Sequence, residues 1–353
     1  MRAAVYHGRH DIRVESRPEP RLVHADDVVL SVERAAICGT DSSEWAHGPL
    51  LVPLHDRHPG SGHRGSVVLG HEFAGRVTEA GPDVTELMPG DLVVCGAGVS
   101  CGTCGWCSSG RTNLCAGYYT LGLHADGGLA QLVRCPARTC RVVPKGVSAE
   151  HAALAQPLAV ALHGVRRGGI GAGETAVVIG VGGIGAFVVA AAASRDPACL
   201  IAVDVDEERL ETARKLGATV SVHARAGDVT RAILDATSGE GAHVVVEASG
   251  APAAPALAFA VCRRGGRVVL IGLQAAPREL DLRSCTLREV DLVSVLAHVC
   301  DIDLPEALQL LASTELASIV TERVIPLSLV VEEGISVLAA GKARGKIVVD
   351  VDS

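Results

Sequence analysis

The hydrophobic pattern of the chain changes near residue 156. Before that point, short apolar runs are interrupted by Gly and Pro, as in DDVVLSVERAAIC, VVLGHEFAGRV and GDLVVCGA. Short runs bounded by turn residues are typical of strands, so this part of the chain predicts an irregular β-rich domain over residues 1–156.

From residue 157 to 298, buried apolar runs alternate with helical patterns. ETAVVIG and CLIAVD read as buried strands, while EERLETARKLG reads as a helix that ends at a glycine. Repeated strand–helix units predict a doubly wound α/β domain with a parallel sheet. Residues 299–353 contain further helical patterns and a last strand, KIVVDV, and we expect them to return to the first domain.

Composition narrows the function classes. The 353 residues are 48% hydrophobic but only 2% aromatic, so aliphatic side chains must fill the cores. The net charge of −8 and the lack of a basic run argue against a nucleic-acid partner. The sequence has neither an apolar run long enough for a membrane span nor a secretory signal. Twelve cysteines in such a chain predict metal ligands and buried thiols in a reducing cytoplasm.

A short loop carries four cysteines in the spacing C-x2-C-x2-C-x7-C, at Cys101, Cys104, Cys107 and Cys115. Four thiolates this close together predict a tetrahedral Zn²⁺ site, and free or disulfide-bonded cysteines are the alternative. A complete sulfur shell leaves no position for substrate, so this zinc is expected to be structural. Chemistry would then need a second, open metal site.

A glycine-rich turn follows the first strand of the α/β domain. Its G-x-G-x-x-G pattern predicts that the backbone approaches a dinucleotide pyrophosphate at a helix N-terminus. Asp204 ends the next strand, where a carboxylate accepts hydrogen bonds from ribose hydroxyls and favours NAD over NADP. Arg209 follows on the next helix, and its charge is also compatible with a 2′-phosphate. The candidate cofactor residues of the turn are Gly180, Val181, Gly182, Gly183, Ile184 and Gly185.

Candidates for the open metal site are Cys38 in AAICGTD and the His71–Glu72 pair in VVLGHEFAG. A thiolate and a neutral imidazole are good zinc ligands. A lone cysteine is more often a small buried hydrophobe, and a lone histidine is more often a hydrogen bonder. The cysteine loop and the nucleotide turn elsewhere in the chain shift that balance toward a metal site.

Together, CGTD, GHEFAG, the cysteine loop, QPLAVALHG and GVGGIG with Asp204 resemble the zinc-dependent medium-chain dehydrogenase/reductase family. The resemblance covers the whole chain and is closest to the polyol, butanediol and sugar dehydrogenase branch. It implies a GroES-like catalytic domain at 1–156, a Rossmann NAD-binding domain at 157–298, and a return to the catalytic domain at 299–353.

The resemblance also implies the activity. The expected enzyme holds two zinc ions, uses NAD rather than NADP, and interconverts a secondary alcohol with its ketone. The substrate would be a vicinal diol, polyol, sugar or aminocyclitol. The expected assembly is a homodimer or homotetramer, formed through the edge strand VDLVSVLAH at 290–298.

The same resemblance assigns site residues. It implies that Cys38 and His71 bind the catalytic zinc, with Glu72 as a direct or exchangeable ligand. The remaining ligand position falls at Gln156, whose neutral amide would leave the zinc more electrophilic and less tightly bound. Gln156 as a hydrogen bonder behind the ligands is the alternative. Thr40 matches the hydroxyl that bonds the substrate alcohol.

Two positions depart from or loosely match the family pattern. Ser43 stands where relatives often carry a proton-relay histidine, so the proton would leave through the ribose hydroxyl and water or through another group, such as Glu44 or a histidine of the 55–63 segment. The alternative for those histidines is an ordinary place in a surface loop. Lys346 is expected near the cofactor pyrophosphate. The other cysteines are interpreted mostly as buried small hydrophobes, at positions 95, 135, 140, 199, 262, 285 and 300.

Other functions are compatible with the same motifs. One is a non-catalytic regulator that binds zinc and nucleotide. Another is a family member with a narrow biosynthetic substrate or altered chemistry, such as reduction of an activated alkene. A nucleic-acid-binding zinc protein is suggested by the cysteine loop alone, and the acidic charge opposes it.

Overall fold

A computed structural model describes residues 1–353, which form two compact units. The first unit comprises Met1–Ala159 and His298–Ser353, and the second comprises Val160–Ala297. The domain division at 1–156, 157–298 and 299–353 differs from these bounds by up to three residues, and it stands as a proposal. No helix is both long and apolar enough to cross a membrane.

Eighteen strands make up the sheets of the two units. They are β1 (Arg2–Gly8), β2 (Asp11–Ser16), β3 (Asp27–Ala36), β4 (Val67–Val68), β5 (Glu72–Ala80), β6 (Leu92–Cys95), β7 (Gly98–Val99), β8 (Tyr119–Thr120), β9 (Leu132–Pro136), β10 (Cys140–Val142), β11 (Thr175–Ile179), β12 (Cys199–Asp204), β13 (Val220–His223), β14 (Ala242–Glu247), β15 (Cys262–Leu270), β16 (Asp291–Ser294), β17 (Thr321–Pro326) and β18 (Lys346–Asp350).

Twelve α-helices accompany the strands, together with short 3₁₀ turns and a π-helix at Val330–Ile335. The α-helices are α1 (Gly39–His47), α2 (Gly105–Ser108), α3 (Ala149–Ala152), α4 (Ala155–Gly168), α5 (Gly183–Ala193), α6 (Glu207–Lys215), α7 (Val229–Ala236), α8 (Ala254–Val261), α9 (Leu282–Arg288), α10 (Cys300–Ser313), α11 (Leu316–Val320) and α12 (Ser336–Ala339).

The first unit is built on a mixed sheet in the order β10-β6-β5-β3-β18-β17, with β9 also paired to β3. The long strand β3 is its centre, because it pairs with β5, β9 and β18. Its core is aliphatic, as the composition predicts, with Phe73 among its few buried aromatic side chains. The last strand, β18, lies antiparallel to β3 with Val348 opposite Ala36. The chain end therefore belongs to the sheet of the first unit.

The second unit contains a six-stranded parallel sheet in the order β13-β12-β11-β14-β15-β16. In order along the chain this is 3-2-1-4-5-6, the doubly wound Rossmann arrangement. Its central strands are buried on both faces, as Val177, Ile201 and Val245 show at 0% exposure. The predicted α/β fold class is confirmed.

Candidate active site

Three candidate zinc ligands meet at the pairing of β3 with β5. Ala36 at the end of β3 lies opposite Glu72 at the start of β5. Cys38 follows β3 as the N-cap of α1, and His71 directly precedes β5. The Cys38 Sγ, a His71 ring nitrogen and a Glu72 carboxylate oxygen all lie within 4.8 Å of one another. The sheet register therefore brings together residues that are far apart in sequence.

The electrostatics of this cluster suit a cation. His71 is 5% exposed, and neither its Nδ1 nor Oδ1 of the buried Asp41 has a hydrogen-bond partner. Burial alone lowers the pKa of His71, but Cys38, Asp41 and Glu72 together raise it to about 10. A buried histidine holds its second proton this firmly only when negatively charged ligand groups surround it. That donor set fits Zn²⁺, which favours sulfur, imidazole and carboxylate ligands.

Asp41 was not singled out by the sequence reasoning, although it is the last residue of the CGTD motif. Its Oδ1 lies 3.6 Å from His71 Nδ1, and its Oδ2 accepts a hydrogen bond from the Cys38 backbone N–H at 2.9 Å. The Asp41 carboxylate thus lies next to both Cys38 and His71, two of the candidate ligands. A carboxylate beside a metal-binding histidine commonly orients the ring and raises its basicity.

Lys346 lies beside the candidate metal ligands. It is 6% exposed, and its Nζ forms an ion pair with Glu72 Oε2 and donates to the Ile37 carbonyl at 2.9 Å. Burial opposes its charge, but Glu72 and Cys38 more than offset this and raise the pKa of Lys346. These contacts are with Glu72 and with the residue before Cys38, and the expected approach of Lys346 to the cofactor pyrophosphate stays a prediction.

The remaining predicted residues of the site lie on two helices. Thr40, in the first turn of α1, has its Oγ1 3.7 Å from Cys38 Sγ. Gln156, the second residue of α4, is buried at 7% exposure. Ser43 donates to the Gly39 carbonyl at 3.0 Å, which is an ordinary contact within a helix. The structure places the Thr40 hydroxyl beside the candidate ligand Cys38.

The suggested replacements for the relay histidine have other roles. The Glu44 carboxylate accepts hydrogen bonds from the backbone N–H groups of Leu50 and Leu51. His58 Nδ1 accepts from the Gly60 and Ser61 N–H groups at 3.2 Å each. Both side chains therefore stabilise turns, and Glu44 is wholly buried in doing so.

The four-cysteine loop closes as predicted into one cluster, with the ligand atoms of Cys101, Cys104, Cys107 and Cys115 all within 4.8 Å of one another. Sγ–Sγ distances of 3.5 Å and 4.0 Å separate Cys107 from Cys104 and Cys101. Hydrogen bonds from the Thr103 and Cys104 backbone and the Thr103 hydroxyl lower the pKa of Cys101 to about 6. The set offers four sulfur ligands and no additional side chain, which fits a closed Zn²⁺ site.

The glycine-rich turn lies between β11 and α5, the context that a dinucleotide-binding motif requires. Gly180 has φ of +84°, and a Cβ there would lie 2.4 Å from the Ser249 side chain. A Cβ at Gly185 would lie 1.8 Å from the Gly180 carbonyl oxygen. Only glycine is compatible with either position. Gly182 is the N-cap of α5, so the free N–H groups of that helix begin at the turn.

Asp204 connects the turn to the next strand. Its Oδ2 accepts from the Val181 N–H at 2.8 Å, and its Oδ1 accepts from the Val205 and Asp206 N–H groups. The Arg209 guanidinium lies 4.0 Å from the same carboxylate. The predicted cofactor residues therefore form one contiguous surface at the carboxyl ends of β11 and β12. Such a surface offers N–H groups to phosphates and a carboxylate to ribose hydroxyls.

Comparison with known proteins agrees with this geometry. Residues 24–145 match the alcohol dehydrogenase GroES-like domain, and residues 183–313 match the zinc-binding dehydrogenase domain. Sorbitol dehydrogenase from Bacillus subtilis (strain 168) is 31% identical over 315 residues, covering 89% of this chain and 86% of that protein.

Solved structures add a likeness over the full length. The crystal structure of 2R,3R-butanediol dehydrogenase from Bacillus subtilis has a TM-score of 0.91 at 30% identity and covers 99% of both chains. A putative zinc-binding dehydrogenase from Sinorhizobium meliloti 1021, bound to NADP, has a TM-score of 0.86 at 29% identity, with 99% of both chains covered.

The fold and the two cysteine-containing clusters thus define a zinc-type oxidoreductase. The chain belongs to the zinc-dependent medium-chain dehydrogenase/reductase family, in its polyol dehydrogenase branch. As a member of that family it takes a nicotinamide cofactor and interconverts a secondary alcohol with its ketone. The expectation of an enzyme, and not of a non-catalytic regulator, is confirmed.

Proposed function

We propose that the protein is an NAD-dependent polyol or vicinal-diol dehydrogenase with one catalytic and one structural zinc. Cys38, His71 and Glu72 hold the catalytic ion, with Gln156 at the fourth position, and the four-cysteine loop holds the structural ion. The observation that carries the proposal is the convergence of Cys38, His71 and Glu72 within 4.8 Å of one another, where the neighbouring Cys38, Asp41 and Glu72 raise the pKa of the buried His71 to about 10.

The bound groups and the protein have separate tasks. When bound, the zinc supplies Lewis acidity toward the substrate oxygen, and the nicotinamide ring supplies the hydride acceptor. The protein contributes Thr40, whose hydroxyl beside Cys38 takes up the proton of the substrate alcohol. Asp41 positions His71, and Lys346 balances the charge of Glu72. Burial of Asp41, His71 and Glu72 keeps water away and strengthens each of these interactions.

The choice of NAD over NADP rests on Asp204. Its carboxylate ends β12 with 7% exposure, beside the turn that would receive the pyrophosphate. A fixed negative charge there repels a 2′-phosphate and accepts hydrogen bonds from the free ribose hydroxyls. Arg209 lies close enough to partly neutralise that charge. We therefore expect the protein to prefer NAD without excluding NADP.

The substrate class rests on the relatives. The sorbitol and butanediol dehydrogenases both act, by their names, on compounds that carry neighbouring hydroxyl groups. We infer a substrate of the same kind for this chain, a vicinal diol, polyol, sugar or aminocyclitol.

Assembly and compartment follow from other features. Strand β16 lies at the edge of the parallel sheet, and its Leu292 is 51% exposed. Edge strands with exposed apolar side chains need a partner, which supports a homodimer or homotetramer paired along β16. All twelve cysteines are free thiols, which supports a reducing, cytoplasmic location.

The test is turnover of metal-quantified protein with a panel of butanediol isomers, sorbitol, inositols and aminocyclitols, with NAD⁺ and NADP⁺ in parallel. Formation of reduced nicotinamide is followed by its absorbance. We expect activity on one hydroxyl class, loss of that activity on chelation, and its recovery with Zn²⁺. Cys38→Ser should remove one of two zincs and all turnover. Full activity in metal-free protein would refute the proposal.

A further inference from the structure

A second set of buried cysteines lies in the first unit, apart from both zinc clusters. Cys95 ends β6, Cys135 lies in β9, and Cys140 begins β10. Their Sγ atoms lie within 4.8 Å of one another, and those of Cys135 and Cys140 are 3.4 Å apart. We call these three residues the trithiol cluster. None of the functions described above uses it.

The sheet holds the trithiol cluster in place. Cys140 lies directly opposite Cys95 in the antiparallel pair of β10 and β6. A single 3₁₀ turn, Ala137–Thr139, connects β9 to β10 and returns Cys140 toward Cys135. The three side chains are 0%, 1% and 3% exposed. They are therefore preorganised by backbone pairing, and no ordering of a flexible loop is required to bring them together.

The spacing is that of a metal site. For sulfur at about 2.3 Å from a metal, tetrahedral or trigonal ligand angles place Sγ atoms roughly 3.8–4.0 Å apart. In the four-cysteine loop two Sγ–Sγ distances are 3.5 Å and 4.0 Å, and in the trithiol cluster the Cys135 and Cys140 Sγ atoms are 3.4 Å apart, with all three sulfurs within 4.8 Å of one another. A disulfide needs about 2.05 Å, and all three thiols are free.

The hydrogen bonds around the Cys95 sulfur resemble those around the Cys101 sulfur in the four-cysteine loop. The Ala97 backbone N–H donates to Cys95 Sγ at 3.3 Å, and Thr139 Oγ1 lies 3.3 Å from the same sulfur. In the four-cysteine loop, the Cys104 N–H donates to Cys101 Sγ as the Ala97 N–H does to Cys95 Sγ. Burial alone raises the pKa of Cys95, but hydrogen bonds from the Cys135 and Cys140 thiols and from the Ala97 N–H lower it well below its ordinary value, whereas thiol–thiol contacts and burial raise the pKa values of Cys135 and Cys140. Cys95 is therefore the thiolate of the trithiol cluster, and a bound metal would displace the protons of the other two thiols.

The number of ligands selects the metal. Zn²⁺ in proteins almost always takes four ligands. The hydroxyl nearest to Cys95, that of Thr139, donates to the Pro136 carbonyl at 2.7 Å. The next thiol, Cys300, donates to the Thr139 carbonyl at 3.5 Å and lies outside the cluster. Three thiols suit a soft cation of low coordination number, and thiolates select Cu(I) among such ions. We propose that the trithiol cluster is a third metal site, which binds one Cu(I) ion without displacing either zinc.

The test uses zinc-replete protein without oxygen, titrated with Cu(I) buffered by bicinchoninate. Copper and zinc per chain are measured by elemental analysis. We expect one tightly bound copper and an unchanged zinc content. Cys135→Ser and Cys140→Ser should each weaken copper binding by at least about 100-fold, because each removes a direct ligand. Cys262→Ser, which changes a cysteine equally buried in the second unit, is the matched control and should leave binding unchanged.

A measurement on the unaltered chain guards against misfolded variants. Copper X-ray absorption of the wild-type complex should show a shell of three sulfur atoms, and the melting temperature should rise when copper binds. Three outcomes would overturn the proposal: no tight copper binding, copper uptake matched by zinc release, or a copper affinity that is the same in Cys135→Ser and wild type.

Discussion

Lys346 forms a buried ion pair with Glu72, one of the three converging zinc-ligand candidates. The two residues are 6% and 1% exposed, so water screens their attraction weakly. The pair connects β18 at the chain end to β5 in the middle of the first unit. A cation fixed behind Glu72 limits how much negative charge that carboxylate can offer to a metal. Lys346 can thus change the charge at the metal site without contacting the substrate.

Removal of Lys346 should destabilise the protein strongly. Lys346→Met leaves the Glu72 carboxylate buried without its partner, and breaking a buried pair in this way costs about 3–5 kcal/mol. Denaturant unfolding of zinc-loaded protein measures the loss. The double variant Lys346→Met/Glu72→Gln removes both charges and should recover part of the stability. A single variant as stable as wild type would show that Glu72 is already compensated by the zinc alone.

Asp41 should control zinc affinity through His71. Asp41→Asn keeps an oxygen that accepts from the Cys38 N–H but removes the negative charge 3.6 Å from His71 Nδ1. We expect zinc at the catalytic site to bind about 10- to 100-fold more weakly, the usual effect of losing such a partner. Competition with a chelator measures the affinity. Glu33→Gln, a partly exposed carboxylate on β3, is the control and should change nothing.

Asp204 should decide the cofactor preference. In Asp204→Ser the turn loses the carboxylate that accepts from the Val181 N–H, and with it the negative charge near Arg209 that would repel a 2′-phosphate. Hydrogen bonds to charged groups contribute about 1.5–3 kcal/mol, so kcat/KM for NAD⁺ should fall roughly 10- to 100-fold. The value for NADP⁺ should rise or stay constant. An unchanged ratio of the two values would place specificity elsewhere.

The fold and most of the candidate site can be predicted from the sequence because short motifs reflect the backbone conformation and ligand spacing needed at those positions. Gly180 and Gly185 are needed for local geometry, and the cysteine loop for local ligand spacing, so each is visible within a short stretch. Pairings between distant elements left no such signal. Lys346 reaches Glu72 only because β18 inserts beside β3. The trithiol cluster forms only because β10 pairs with β6 and the 3₁₀ turn after β9 returns Cys140 toward Cys135.

The sequence patterns of two helices in the last part of the chain predict the observed elements only in part. The segment EEGISVLAAG predicts a helix, and the structure contains a π-helix at Val330–Ile335 that continues into α12. Helix α10 begins at Cys300, before the apolar pattern PEALQLLAS, and within it the Asp303 carboxylate accepts from the Val299 N–H at 2.7 Å.

His124 should make stability depend on pH. Burial lowers its pKa to about 4, with smaller contributions from His58 and His71. In the unfolded chain a histidine has a pKa near 6.5, so between about pH 6.5 and 4 the unfolded state binds more protons. The stability from neutral His124 is present above that window and is lost as the pH falls through it.

The matched variant for this effect is His124→Asn. Asparagine can still accept from the Thr120 N–H, as His124 Nδ1 does at 3.0 Å, but it does not titrate. The unfolding free energy of the variant should therefore fall less steeply than that of wild type between about pH 6.5 and 4. Parallel curves for the two proteins would show that another group causes the acid sensitivity.

Substitutions of Gln156 test whether its side-chain amide is the fourth ligand of the catalytic zinc or only a hydrogen bonder behind the ligands. If its amide is the fourth ligand, Gln156→Glu adds a negative charge directly to the metal. The ion should then bind more tightly, and as a weaker Lewis acid it should support a lower kcat. If Gln156 only bonds behind the ligands, the added carboxylate is a buried charge without a partner, and stability should fall with no gain in zinc retention. Zinc retention against a chelator, measured together with the melting temperature, distinguishes the two. Gln156→Met removes the ligand at similar volume, and loss of one zinc in that variant would assign the amide to the metal.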